Sequence, residues 1–238
     1  QYNDSLVFIE DFKKPKGIDV PYEYKNSTLL RDYRKIAYKT KGIDSVDAKH
    51  SMYYWKSPIK IYFSKSVSKN TKNSLMRFTK KISKNIDSLN IFEVKNINES
   101  NFTIYYSGDF EYESGLKNRN NNSYYIHWNK KNQIYKGSIK LNPNLLFNEA
   151  LIQNKLRLLL IQTLGHFNLT NYLKCNNYFA ACFSQNKKMS TFDFEILKYH
   201  YSYGICKGTS LETFEENHKM AKKALKTNNK NLTFFHPF

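Results

Sequence analysis

Residues 156–168 read LRLLLIQTLGHFN, and residues 182–208 read CFSQNKKMSTFDFEILKYHYSYGICKG. The first stretch lies in a longer segment, about 145–173, whose helical pattern is unusually apolar. A helix that is apolar all round is a core helix rather than a surface one, so this element is expected to run through the middle of the fold. Gly165 near its end lets the helix approach a sheet closely or end cleanly. In the second stretch Ser190 followed by Asp193 forms a capping box, which opens a helix over 191–201.

Working outward, the pattern before this helix is mostly strand. Residues 58–63 alternate apolar and polar, with Ile59, Ile61 and Phe63 facing one way. Residues 67–89 carry Leu75, Phe78, Ile82 and Ile86 at spacings of three and four, the mark of an amphipathic helix with a Lys-rich outer face. Further strands are expected at 91–94, 102–106, 124–128 and 138–141, with a polar loop at 118–123. Upstream, a short strand at 6–9, a basic loop at 13–16, a helix capped by Asn26 to Thr28 and a loop at 41–50 form an irregular arm. Downstream, Thr209 with Glu212 repeats the capping box for a last helix to about Leu225, and the tail 227–238 has no periodic face. The expected organisation is an arm over 1–50, an α+β domain over 51–226 and a tail over 227–238. Its sheet is mixed and twisted, beside an amphipathic helix, a buried helix and C-terminal helices.

Composition narrows the function classes. The 238 residues are 40% hydrophobic and 16% aromatic, too rich in Tyr and Phe for a disordered chain. The formal charge is +18, from 38 Lys and Arg against 20 Asp and Glu. Such a surface attracts nucleic acid, anionic lipid or acidic envelope polymer, although the joint excess of Lys, Asn and Tyr is also what an AT-rich genome writes. No run reaches the roughly 18 apolar residues of a membrane span. A chain that opens on Gln1 rather than Met is expected to have lost a leading segment by processing or by design. Of the three Cys, Cys175 and Cys182 could close a small loop, or either could pair with Cys206. In an exported protein one disulfide and one buried thiol is the natural arrangement; in a cytosolic one all three are core residues.

A working zincin helix reads HExxH, because two His one turn apart hold zinc while the Glu activates its water. With the triplet Leu164-Gly165-His166 laid on the end of that motif, Gln162 takes the place of the first His and Thr163 that of the Glu. Only His166 survives, and a third His would be wanted at Tyr172. The chain also resembles a bacterial domain-of-unknown-function family of exported, often lipid-anchored, zincin-like proteins. That family's site helix reads EExxQxLGLxND and its later helix opens with LTxxD. Here Gln162, Leu164 and Gly165 match QxLG, and Asn168 matches the Asn. Phe183 and Ser184 resemble the following turn, Ser190, Thr191 and Asp193 the later helix start, and Trp55, Pro58 and Ile59 an upstream strand. Leu158 and Leu159 stand where the family has its two Glu. The resemblance implies a zincin-like fold and export from the bacterial cytoplasm, and the replaced residues at Gln162 and Thr163 imply no working metal site and no cofactor.

The candidate cleft residues are therefore Gln162, Thr163, Gly165, His166, Tyr172 and Phe183, with no catalytic or metal-ligating residue among them. His127 and His200 could join His166 in a remade metal site only if the fold brings them together; otherwise His166 is a hydrogen-bonded core residue. Asp193 reads as a helix-start residue, and Glu149 as a solvated helix-start charge or a weak general base. The aromatics at 53–55 and 124–128 form either a stacking platform or sheet packing. Three classes stay open. They are a non-catalytic protein binding a protein or cell-envelope partner through its former cleft or edge strand, an atypical metallopeptidase with remade ligands, and a basic polyanion binder.

Overall fold

The computed structural model describes residues 16–39, 50–228 and 231–237. The strand expected at 6–9 and the loops at 13–16 and 41–50 fall outside these, apart from Lys16 and His50. In chain order the described elements begin with β1 (Gly17–Pro21), α1 (Ser27–Ala37), β2 (Tyr54–Trp55), β3 (Ile59–Phe63) and α2 (Lys69–Asn85). There follow β4 (Ile91–Glu93), β5 (Phe102–Tyr106), β6 (Ser123–Trp128), β7 (Gln133–Leu141) and α3 (Glu149–Thr163). The chain closes with α4 (Thr191–Tyr201), α5 (Leu211–Asn228) and β8 (Thr233–Pro237). The fold is α+β.

The main sheet is mixed but mostly parallel. β4, β3, β5 and β7 run side by side in parallel, β2 pairs in parallel with the start of β7, and β6 pairs antiparallel with β7. β5 and β7 are matched from Phe102 opposite Gly137 to Tyr106 opposite Leu141. In β3 the alternation holds as the sequence predicts: Ile59, Ile61 and Phe63 are buried while Lys60 and Tyr62 are half-buried. α2 and α3 pack together beside this sheet, and α2 buries Leu75 and Ile82. The opposite face of β5 and β7 lies under residues 107–118. There the buried ammonium of Lys140 donates to Glu111 Oε2 at 2.6 Å and to the Leu116 carbonyl at 3.1 Å.

α3 is shorter than its pattern suggests, and the reason lies in its caps. Asn148 Oδ1 accepts from the Leu151 amide at 3.0 Å, which fixes the start. At the other end the Phe167 amide donates to the Gln162 carbonyl at 2.9 Å, and His166 stands at φ 53°. That pair is a Schellman closure with His166 in the left-handed position usually held by Gly. Two more orphan carbonyls are taken by side chains: Trp55 Nε1 donates to Thr163 O at 3.0 Å, and the Tyr201 hydroxyl to Leu164 O at 2.5 Å. The expected continuation of the helix to residue 173 is thereby corrected.

α4 begins with the full Ser190–Asp193 capping box. Asp193 is fully buried and also accepts from the Tyr178 amide at 3.1 Å, which ties the preceding loop to the helix. That loop carries the disulfide Cys175–Cys182, with Cα atoms 5.1 Å apart, and leaves Cys206 as the free thiol. α5 is capped by Ser210, whose Oγ accepts from the Thr213 amide at 3.2 Å, one residue beyond the expected Thr209. α1 contributes Tyr33 and Ile36, both fully buried, to the core that also holds Tyr199 and Phe214. The tail supplies β8, which pairs antiparallel with β1 in a separate two-stranded sheet. Among the described residues no helix is long and apolar enough to cross a membrane.

Candidate functional site

A groove of about 380 Å³ runs along α3. Its floor is the stripe Leu151, Asn154, Lys155 and Leu158, one helix face by spacing. It is also lined by Leu145, Leu146 and Phe147 before the helix and by Ala181, Cys182, Phe183, Ser184 and Lys187 after it. Phe147 and Phe183 stand 93% and 71% exposed at its lips. Asn122, the residue before β6, closes one side. Among the described residues β6 pairs with β7 alone, and no backbone hydrogen bond occupies its outer edge. The groove thus reaches the start of a strand whose outer edge is open among the described residues.

The candidate residues separate in this frame. Phe183 lines the groove, and Gln162, half-buried, follows Leu158 by one helical turn. Thr163 is fully buried and donates to the Leu160 carbonyl at 2.7 Å, so it belongs to the core rather than the cleft. Gly165 is where the helix end meets α4: a Cβ built on it would lie 2.4 Å from the Phe167 ring and 2.8 Å from His200 Nε2. Tyr172 is held at α1, with Lys35 Nζ 4.4 Å from its ring centre. Burial and then the Asp32 carboxylate push its hydroxyl up to about 12.

His166 does not share a helical face with Gln162, because the helix has already turned. Its Nδ1 shares a hydrogen bond of 3.0 Å with the Tyr124 hydroxyl, and its ring stacks on Trp128 with Tyr53 edge-on. Burial, with the Lys39 charge adding to it, lowers the imidazole to about 4, so it is neutral near pH 7. Trp128 keeps 43% of its surface exposed, whereas Trp55 is buried and packs on Phe102. Of the aromatics of 53–55 and 124–128, Trp55 is packing, and Tyr53 and Trp128 make a half-open cluster over His166.

The other His lie elsewhere. His200 is fully buried; its Nε2 donates to the Tyr53 carbonyl at 2.8 Å, its Nδ1 meets the Tyr33 hydroxyl at 3.1 Å, and burial lowers it to about 3. His127 sits on the opposite face of β6, 2.8 Å from the buried Glu113 carboxylate. Glu149 is engaged by the Ser68 and Thr71 hydroxyls at 2.5 and 3.2 Å, chiefly the former, which holds its carboxyl below the usual range. Among the described residues no three His, Cys, Asp or Glu converge as a metal site. The groove's lining offers apolar surface, amides, the Ser184 hydroxyl and two lysines.

Those lysines were not singled out from the sequence. The signal was present, since Leu151, Lys155, Leu158 and Gln162 recur at four, three and four, but leucines at that spacing also read as core. Comparison of the chain with known proteins gives no matching family, and no curated protein matches it.

Proposed function

We propose that this chain is an exported, zincin-like protein without a working metal site, which binds a protein or cell-envelope partner through the groove along α3 and the free edge of β6. The observation that carries the reading is that an apolar groove with exposed aromatics reaches, through Asn122, the start of a strand whose edge is unpaired among the described residues; this suits an extended peptide, whose backbone adds to the edge while alternate side chains enter the groove. The element order, with an apolar helix after a mostly parallel sheet and a single antiparallel strand at its edge, supports the zincin-like part. Leu158 facing the groove where the resembling family has a Glu supports a binding role over a catalytic one. The Cys175–Cys182 disulfide supports an oxidising compartment, hence export.

The test is amide hydrogen exchange of the full chain with an excess of a random extended-peptide pool. Slowed exchange at 123–128 is expected, and it should vanish when the pool is backbone N-methylated or when Phe147 and Phe183 are changed to Ser. Unchanged exchange along β6 at saturating pool would sink the reading. A polyanion-binding surface is favoured by one separate observation, the exposed stripe Lys69, Arg77, Lys80, Lys81 and Lys84 on α2, a helix without a single acid.

A further inference from the structure

We infer that the groove selects an extended peptide in which an acidic side chain stands two positions from an apolar one, with Lys155 receiving the carboxylate. This rests on the partner-binding reading of the same groove and names the chemistry of the partner. Lys155 lies on α3 between Leu151 and Leu158, and all three line the groove together with Leu146, Phe147 and Phe183. The groove's other cation is already used: Lys187 Nζ donates to the carbonyls of Asn177 and Ala180 at 2.6 and 3.0 Å. Among the described residues Lys155 has no hydrogen bond or ion pair, and no Asp or Glu lines the groove. Burial pulls its ammonium below the usual lysine range.

A half-buried cation without a counter-charge is less favourable than a solvated one, and a carboxylate brought by a ligand offsets that cost while satisfying the ammonium's donors. The spacing follows from geometry. Neighbours three or four apart on a helix have Cβ atoms about 5–6 Å apart. Alternate residues of a strand share a face and are about 6.6 Å apart. A strand lying along α3 therefore sets an acid over Lys155 and an apolar side chain over Leu151 or Leu158 when the two are separated by one residue. Asn122, which lines the groove and leads into β6, brings the open strand edge to the same place.

The experiment is selection of a displayed library of random decapeptides on the full chain at ordinary ionic strength. It uses the wild type, Lys155→Met, Lys155→Gln, the charge reversal Lys155→Glu, and Lys80→Gln on the exposed face of α2 as a control for general charge. Wild type and the control should enrich an acidic residue two positions from an apolar one by about tenfold or more, the scale of one charge-assisted contact. The two neutral variants should keep the apolar preference and lose the acidic one, and the reversal should select Lys or Arg there. An enriched motif without an acid, or an acidic preference that survives both neutral variants, overturns the role of Lys155 and leaves the partner-binding groove standing. No enrichment of any peptide overturns both.

Discussion

Gly165→Val tests the packing that turns the chain out of α3. A Cβ at this position would lie 2.4 and 2.5 Å from Cζ and Cε1 of Phe167 and 2.8 Å from His200 Nε2, all well inside contact distance. Neither neighbour can yield freely. Phe167 is buried edge-on against Phe179 and His200, and His200 is pinned by the Tyr53 carbonyl. The cost is therefore overpacking, about 1–3 kcal/mol. Backbone strain does not add to it, because the left-handed residue of this turn is His166. A loss of that size lowers the melting temperature of a chain this long by roughly 2–4 °C per kcal/mol. Phe167→Leu removes the ring edge that the new side chain strikes. In a double-mutant cycle by urea denaturation the pair should be less destabilised than the sum of the singles by at least ~1 kcal/mol. A Gly165→Val protein that melts with the wild type, or strict additivity with Phe167→Leu, would refute the close approach.

Elemental analysis of the purified protein should find no stoichiometric zinc; Leu158→His with Gln162→His, which puts two His one turn apart on the groove face, should bind added zinc measurably better than Gln162→His alone. Changing Cys175 and Cys182 to Ser opens a loop with a sequence separation of 7, so chain entropy assigns a loss of about 2.5 kcal/mol, readable in urea with and without reductant. His166 and His200 titrate at about 4 and about 3 when folded, below the ordinary value, so their stability contribution is complete above about pH 6.5 and is lost as pH falls toward the folded values. Melting temperatures should drop between about pH 6.5 and 4.5, before most carboxylates titrate, and less steeply in His166→Gln. For a polyanion such as heparin, the slope of log affinity against log salt should change by less than about one unit in Lys69→Gln/Lys80→Gln/Lys84→Gln; a fall of two or more would promote the α2 stripe to a binding patch.

What could be read from the sequence was what neighbouring residues decide. The capping box at Ser190 and Asp193 gives α4 its start because both partners sit within one turn. Phe102–Tyr106 is a strand because β-branched and aromatic residues suit a pleated surface on either face. Non-local effects were not legible. The apolar pattern through Leu173 promised a longer α3, but Trp55 and Tyr201, distant in sequence, bind its last carbonyls, and His166 takes a conformation that composition does not announce. β7 begins at Gln133 rather than Ser138 because it is paired there by β2 and β6, although Lys136 and Gly137 alone suggest a break. β8 exists by pairing with β1, more than 200 positions away, and its own residues show no periodic face. At the candidate site none of the residues 162–166 lines the groove, because which residues face it depends on where the helix stops.

That stop also decides the chemistry. Two histidines grip one zinc from a helix only if the helix continues through both. Here it has closed before His166, whose ring has gone to Tyr53, Tyr124 and Trp128. The residue in the place of the Glu, Thr163, lies in the core with its hydroxyl on the Leu160 carbonyl, and a carboxylate there would be buried without a counter-charge. Restoring the lost letters at 162 and 163 would therefore rebuild nothing on this backbone. The face that does look into the groove starts one turn earlier, and its side chains are Leu151, Asn154, Lys155 and Leu158. Apolar contact, an amide and a cation without a partner among the described residues can hold and discriminate a bound chain.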